Sequence, residues 1–372
     1  MKPGQEQVPG FAKARPVAIC GWTASALEST QPMLTHDLRS LRLLAALLLL
    51  VGACQDAPPA AAPSLPSAAA PAPAAETLRI GYSRLRISLP VFVAQERGIF
   101  ARHGIHAQLE MYDTAQPLMQ ALVEGRVDVA GYTALPITFN GMLRSGTKLY
   151  FLTAMVEDDA HPISYLLRAK APEGSAPTIR GVEDLRGRRV GILPTVAYRV
   201  WLSAILEAHH VPQDSVVVQP IAPLLQAEAL RTGGVDALFT NDPAATAALT
   251  AGVAERFTTG ADVPRVMGSP FLFGSFNVRK DWGDAHPETL AHLREALDEA
   301  VAFVDEHPAE AREAMAPYLP ERFRDQVSRY PDAHYLTSAH LSESEFQAQA
   351  EDALRRGIVS EALDLHGLVL AP

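Results

Sequence analysis

The apolar positions change rhythm repeatedly along the chain, and each change predicts an element. Leu78-Arg-Ile-Gly-Tyr82 alternates and predicts a strand, and Pro90-Val-Phe-Val-Ala-Gln-Glu-Arg97 predicts a helix that Gly98 closes. Gln108-Leu-Glu-Met-Tyr112 predicts a second strand, Gln116 to Glu124 a helix stopped by Gly125, and Val127-Asp-Val-Ala130 a third strand. Such alternation argues an α/β fold with a largely parallel sheet. Toward the C-terminus, Leu290, Leu293, Leu297, Ala300, Val301 and Val304 recur at steps of three and four, so an amphipathic helix should end before Pro308. Further helices are expected around Ala309–Met315, Glu321–Tyr330 and Glu343–Arg356.

The pattern also repeats. Ala121-Leu-Val-Glu-Gly-Arg-Val-Asp128-Val-Ala130 aligns without a gap to Ala229-Leu-Arg-Thr-Gly-Gly-Val-Asp236-Ala-Leu238. Each copy is a helix end, a glycine turn and a strand that follows an Asp. Each is preceded by a first strand, Leu78-Arg-Ile-Gly or Arg189-Val-Gly-Ile, with a helix after it. Two copies in matching order predict two similar lobes. Ile163-Ser-Tyr-Leu-Leu-Arg168 leads out of the first and Gly274-Ser-Phe-Asn-Val-Arg279 leads back. The expected division is residues 78–165 plus 275–372 for lobe 1 and 166–274 for lobe 2. Two crossovers of this kind act as hinges and leave a cleft between the lobes, where small ligands bind.

The N-terminus has a different character. Leu43 to Val51 is a run of nine apolar residues behind Arg39 and Arg42, too short for a membrane span of about 20 residues. Val51-Gly52-Ala53-Cys54 follows and resembles the bacterial lipoprotein cleavage box. That resemblance implies that residues 1–53 are a leader and that Cys54 becomes a lipidated first residue. Met33 begins an ordinary leader, so translation is expected to start there. Gln55 to Thr77 is almost all Ala, Pro and Ser, which makes residues 54–77 an extended tether with no core to bury.

Composition narrows the function. The whole chain has 372 residues, 48% of them hydrophobic, with a net charge of -10 and two cysteines. Cleavage before Cys54 leaves 319 residues with 27 Lys/Arg against 39 Asp/Glu, a charge of -12. Nucleic acid therefore gains no electrostatic help. Loss of Cys20 with the leader excludes a disulfide scaffold and a cysteine-rich metal site.

Leu78-Arg-Ile-Gly-Tyr82 followed by Pro90-Val-Phe-Val-Ala-Gln-Glu-Arg-Gly-Ile-Phe-Ala-Arg-His-Gly-Ile105 resembles the opening of bacterial ABC-transporter solute-binding proteins. The branch is the one that serves nitrate, alkylsulfonates and thiamine-precursor pyrimidines. Ala121–Ala130, Ile179–Val190, Gly234-Val-Asp-Ala-Leu238 and Asn241-Asp-Pro243 match later blocks of that branch in order, over about residues 78–310. The resemblance implies a type II periplasmic-binding-protein fold with mixed, mainly parallel sheets. It also implies a monomeric receptor that closes on a small solute and hands it to a membrane permease. A lipid on Cys54 would hold it at the periplasmic or outer face of a bacterial membrane.

In such folds the ligand meets strand ends and helix N-termini. The candidates are Ser83 and Arg84 after the first strand, Tyr132 and Thr133 after the third, Thr195, Val196 and Tyr198 opening a second-lobe helix, and Asn241 and Asp242 after the second Val-Asp strand. Thr133 and Thr195 are expected N-caps. Arg84 is the expected cation and Asp242 the expected carboxylate. Val196 and Tyr198 make their loop bulkier than in sulfonate-binding relatives, and Tyr82, Tyr132, Tyr198 and Trp201 suit a ring or an apolar body. The ligand stays open between a pyrimidine-like heterocycle, a sulfonate and a carboxylate. No nucleophile elbow, P-loop or His-Glu-x-x-His motif is present, and His103 and His106 have no carboxylate beside them in sequence. An enzyme is not expected, nor a cofactor or a metal. The alternatives are a binding protein that carries an apolar molecule or feeds a sensor kinase, and a secreted enzyme on the same scaffold.

Overall fold

The alternating strands and helices build two sheets. The structure is a computed structural model that describes residues 76–370. The leader, Cys54 and all but the last two residues of the tether lie outside them. Glu76 and Thr77, expected in the tether, already pair with Ile105 and His106 in the first sheet.

The first sheet holds β1 (Glu76–Ser83), β2 (Ile105–Tyr112), β3 (Val129–Ala134), β4 (Leu149–Glu157), β10 (Phe271–Arg279) and β11 (His334–Leu336), in the order β11-β4-β10-β3-β1-β2. The second holds β5 (Tyr165–Ala169), β6 (Arg189–Ile192), β7 (Val217–Pro220), β8 (Ala237–Thr240) and β9 (Ala254–Arg256), in the order β7-β6-β8-β5-β9. Between named strands, parallel pairing joins three in each sheet: β1 with β2 and β3, and β6 with β7 and β8. The strands next to the crossovers, β4, β5 and β10, pair antiparallel, so the sheets are mixed. The chain leaves the first sheet after Glu157, enters the second at Tyr165 and returns at Phe271. Phe271–Gly274, expected in lobe 2, thus pair in the first sheet.

The internal repeat has a physical cause. Gly125 and Gly233 both stop their helices at positive φ, 72° and 71°, which glycine adopts without a Cβ clash. The next amide turns back in each copy, Arg126 N–H to Ala121 O at 2.9 Å and Gly234 N–H to Ala229 O at 2.8 Å. Val127 and Val235 are then buried, and the following Asp meets the first strand of its lobe. Asp128 accepts from the Arg79 backbone N–H at 2.9 Å and from its guanidinium at 3.1 and 2.6 Å. Asp236 repeats this on Arg189 at 2.8, 3.2 and 2.8 Å. One Arg–Asp clamp therefore sets the register between the first and third parallel strands of each lobe.

Helices cover both sheets. The helix Pro287–Glu306 buries Leu293, Ala296, Leu297, Ala300, Val301 and Val304 and packs on the helix Leu89–Glu96. The expected helix over Glu321–Tyr330 breaks into Glu321–Arg324 and a 3-10 turn, Val327–Arg329. The Gln326 side-chain amide takes the Arg322 carbonyl at 3.1 Å, while its backbone N–H bonds to Phe323 O. The α-helical ladder is thereby interrupted. No helix among the described residues is long and apolar enough to cross a membrane.

Glu157 fastens the first crossover. One carboxylate oxygen accepts from the Ile163 and Ser164 N–H groups at 2.9 and 2.8 Å, and from the Ser164 hydroxyl at 2.8 Å. Full burial pushes its pKa up to about 7 against the opposing pull of those donors and of Arg86. In the window from its ordinary value to about 7, folded Glu157 holds a proton that the unfolded chain has released. Its contribution to stability is present at low pH and lost as pH rises, on the order of 3 kcal/mol across the window.

Two outcomes follow from these contacts. Asp128→Ala leaves the Arg79 amide without its acceptor and lowers unfolding free energy by about 1–2 kcal/mol in urea titrations. An unchanged midpoint contradicts the clamp. Glu157→Gln flattens the change in stability between pH 5 and pH 7.5 relative to wild type. An identical pH dependence in the two proteins removes Glu157 as its source.

Candidate functional site

The lobes meet along their strand ends. Trp201, on the helix Val196–Ala208 of the second lobe, packs its ring 4.7 Å from Phe273 of β10 in the first. Arg322 donates to Leu224 O at 3.2 Å and Arg329 to Thr250 Oγ1 at 3.3 Å, both from one lobe to the other. These contacts join the two lobes.

Arg86 lies at this junction. It sits in the 3-10 turn Arg86–Ser88 after β1, flanked by Leu85 and Ile87, and is 2% exposed. Its guanidinium donates to Pro331 O at 2.6 Å, to Asp332 O at 3.1 Å and to Pro162 O in the crossover at 2.7 Å. Its own carbonyl accepts from the Tyr335 hydroxyl at 2.7 Å, and Tyr165 shares the Pro162 carbonyl at 2.8 Å. Burial opposes the charge, but Tyr165, Asp242, Tyr335 and Glu157 favour it and the balance is upward.

Asp242, in the second lobe, lies within electrostatic reach of Arg86 and is 1% exposed. One of its oxygens accepts from the Thr246 N–H at 3.0 Å and hydroxyl at 2.6 Å, closing the first turn of the helix Ala244–Thr250. The other oxygen has no partner. Tyr198 is also buried, its ring 5.4 Å from Trp201 and 4.9 Å from Phe239, with an unpaired hydroxyl. Burial holds that hydroxyl protonated far above neutral pH, reinforced by Glu157, Tyr165 and Asp242.

Buried polar groups are normally paired, so the unpaired ones mark a place. Ten such side-chain atoms occur among the described residues. Eight belong to strand ends or to segments that face across the lobes: Ser83 Oγ, Arg84 Nε, Arg86 Nε, Tyr198 OH, Trp201 Nε1, Asn241 Oδ1, Asp242 Oδ2 and Tyr330 OH. Arg86, Tyr198 and Tyr330 all lie within electrostatic reach of Asp242.

The expected site residues divide into two groups. Ser83, Arg84, Tyr198, Asn241 and Asp242 keep free polar atoms at the junction. Tyr132 and Thr133 are committed inside lobe 1. The Tyr132 hydroxyl bonds to Thr153, its ring packs against Phe276 and Tyr335, and its φ is 70°. Such a φ is costly for a residue with a side chain and persists only where packing enforces it. Thr133 is not an N-cap. Ala134 takes that position, while Thr133 Oγ1 bonds to Thr138 at 2.7 Å and to Asn277 at 3.1 Å. Thr195 does cap its helix, accepting from the Tyr198 N–H at 3.3 Å. Val196 instead faces a groove of about 430 Å³ between the helices Ala115–Val123 and Leu135–Ser145. That groove holds none of the unpaired buried atoms.

Arg86, Glu157 and Tyr330 were not anticipated. The available signal was Arg86 itself, a cation in the apolar run Leu85-Arg-Ile-Ser-Leu89, where burial forces it to find partners. His103 also differs from expectation, since it meets Glu299 at 2.8 Å and Glu295 at 3.6 Å across the fold. Among the described residues no group of three or more His, Cys, Asp or Glu is arranged to hold a metal.

Similarity to known proteins agrees with this architecture. A bicarbonate transport ATP-binding protein of Synechocystis is 27% identical over 265 residues, 64% of this chain but only 37% of that protein. The chain thus spans little more than a third of that relative's length. A nitrate/nitrite binding protein of Nostoc is 23% identical over 281 residues, 71% of this chain and 62% of the other. The periplasmic aliphatic sulphonate binding protein of Escherichia coli superposes with a TM-score of 0.61 at 18% identity, covering 79% of this chain and 97% of that one, which establishes the periplasmic-binding-protein fold. The NMT1-like family model matches residues 71–319, and the chain belongs to the NMT1-like family.

Proposed function

We propose that the protein is the solute-binding component of an ABC importer, a monomeric receptor that captures a small organic solute between its lobes. The observation that carries this reading is the concentration of unpaired buried polar atoms where the lobes face each other. Each costs stability while unpaired, and a ligand that pairs them from both sides stabilises the closed state over the open one. The relatives support the transport role, since one is named for bicarbonate transport and another for nitrate/nitrite binding. The residues proposed to touch the solute are Ser83, Arg84, Arg86, Tyr198, Trp201, Asn241, Asp242 and Tyr330, with Thr195 fixing the helix that carries Tyr198. Glu157 and the first crossover form one hinge, and residues 257–270 the other.

Cys54 is proposed to carry the lipid. The Pro/Ala tether then gives the receptor reach along the periplasmic or outer face of the membrane, where its permease lies. No catalytic step is assigned.

Thermal-shift screening of the mature chain tests the receptor role. A small polar solute raises the melting temperature in a saturable manner. Stabilisation by long apolar molecules alone overturns the importer reading and favours a carrier between membranes. For the anchor, metabolic labelling with palmitate marks the wild-type protein and not Cys54→Ser. Equal labelling of the two contradicts lipidation at that residue.

A further inference from the structure

The unpaired atoms are not chemically uniform, and their distribution between the lobes restricts the ligand. On the first lobe they include N–H donors, Arg84 Nε and Arg86 Nε. On the second they include acceptors, Asp242 Oδ2 and Asn241 Oδ1. The hydroxyls of Ser83, Tyr198 and Tyr330 serve either role, and Trp201 Nε1 adds one N–H donor on the second lobe. Asp242 is the decisive group. It is buried and already spends one oxygen on Thr246, and among the described residues it has no ion-pair partner. Its second oxygen accepts hydrogen bonds and cannot donate one while ionised. A nitrate or a simple sulfonate offers only acceptors. Either would satisfy the arginines, leave Asp242 unpaired and bring a second negative charge beside it.

We propose that the cleft selects solutes that carry both a nitrogen-borne donor and a hydrogen-bond acceptor, with the donor end held by Asp242 and Asn241 and the acceptor end by Arg86. This rests on the receptor reading and adds the ligand class. A protonated amine or an amino-heterocycle joined to a carboxylate, carbonyl or ring nitrogen meets the requirement. Such a ligand spans the junction, because its two ends need residues from different lobes. Closure is thereby coupled to recognition of both ends.

Isothermal titration of the mature wild-type chain and of Asp242→Asn tests this with two matched pairs, β-alanine against propionate and 4-aminopyrimidine against pyrimidine, and with ethanesulfonate and nitrate as plain anions. In at least one pair the amino member binds wild type about tenfold tighter than its partner, and Asp242→Asn reduces that ratio to about one. The Asn side-chain oxygen still accepts from Thr246, so circular dichroism and the unfolding midpoint stay close to wild type. If the variant fails to fold, Asn241→Ala carries the comparison, with several-fold loss of the amine preference expected. Ethanesulfonate or nitrate binding more tightly than either amine, equally in wild type and variant, overturns the donor requirement and leaves the receptor reading standing. Binding of none of the six by wild type also overturns the proposal, while saturable stabilisation by another polar solute would still support a receptor.

Discussion

A guanidinium buried between two lobes must find acceptors or destabilise the fold. Arg86 finds three, and they come from segments far apart in the chain: Pro162 in the first crossover and Pro331 and Asp332 near the C-terminus. This one group therefore ties the turn after β1, the crossover and the C-terminal strand β11 into a single junction. Tyr335 of β11 closes the loop by donating to the Arg86 carbonyl. Glu157 and Asp242 gather around the same charge, one fixing the crossover and the other reaching from the second lobe. The first crossover and the junction between the lobes thus share one buried charge.

Much of the fold was legible because its determinants are local. Gly125 and Gly233 end helices through their own backbone, and the Val-Asp pairs that follow lie within three residues. The repeat could be read without knowing that Asp128 and Asp236 each grip an arginine on a neighbouring strand. The site was legible in part. Strand ends and a helix N-cap pointed to Thr195, Tyr198, Asn241 and Asp242, all governed by short-range rules. Arg86, Glu157 and Tyr330 acquire their meaning from partners separated by up to 249 residues, which no local pattern records. Thr133 shows the converse: its position suited a cap, but Thr138 and Asn277 compete for the same oxygen and win.

The family relation and the local chemistry operate at different levels. Family membership and the shared fold account for two lobes, mixed sheets and a cleft. They do not choose a ligand, since relatives on this scaffold are named for bicarbonate, nitrate and sulphonate. The groups proposed to choose it in this chain are the buried Asp242 and Arg86, together with the packed rings of Tyr198 and Trp201. On the proposed reading, the carboxylate disfavours a purely anionic solute, whereas a solute with opposite ends uses both charges.

The buried polar groups between the lobes are proposed to be completed by a ligand. Native mass spectrometry of the intact mature protein, purified without denaturation from the cell that makes it, tests this most directly. A 1:1 adduct of a small molecule whose accurate mass requires nitrogen is expected, released on unfolding and depleted in Asp242→Asn. An adduct-free protein whose mass does not change on addition of cell extract would contradict it, as would a nitrogen-free anion bound equally by wild type and variant.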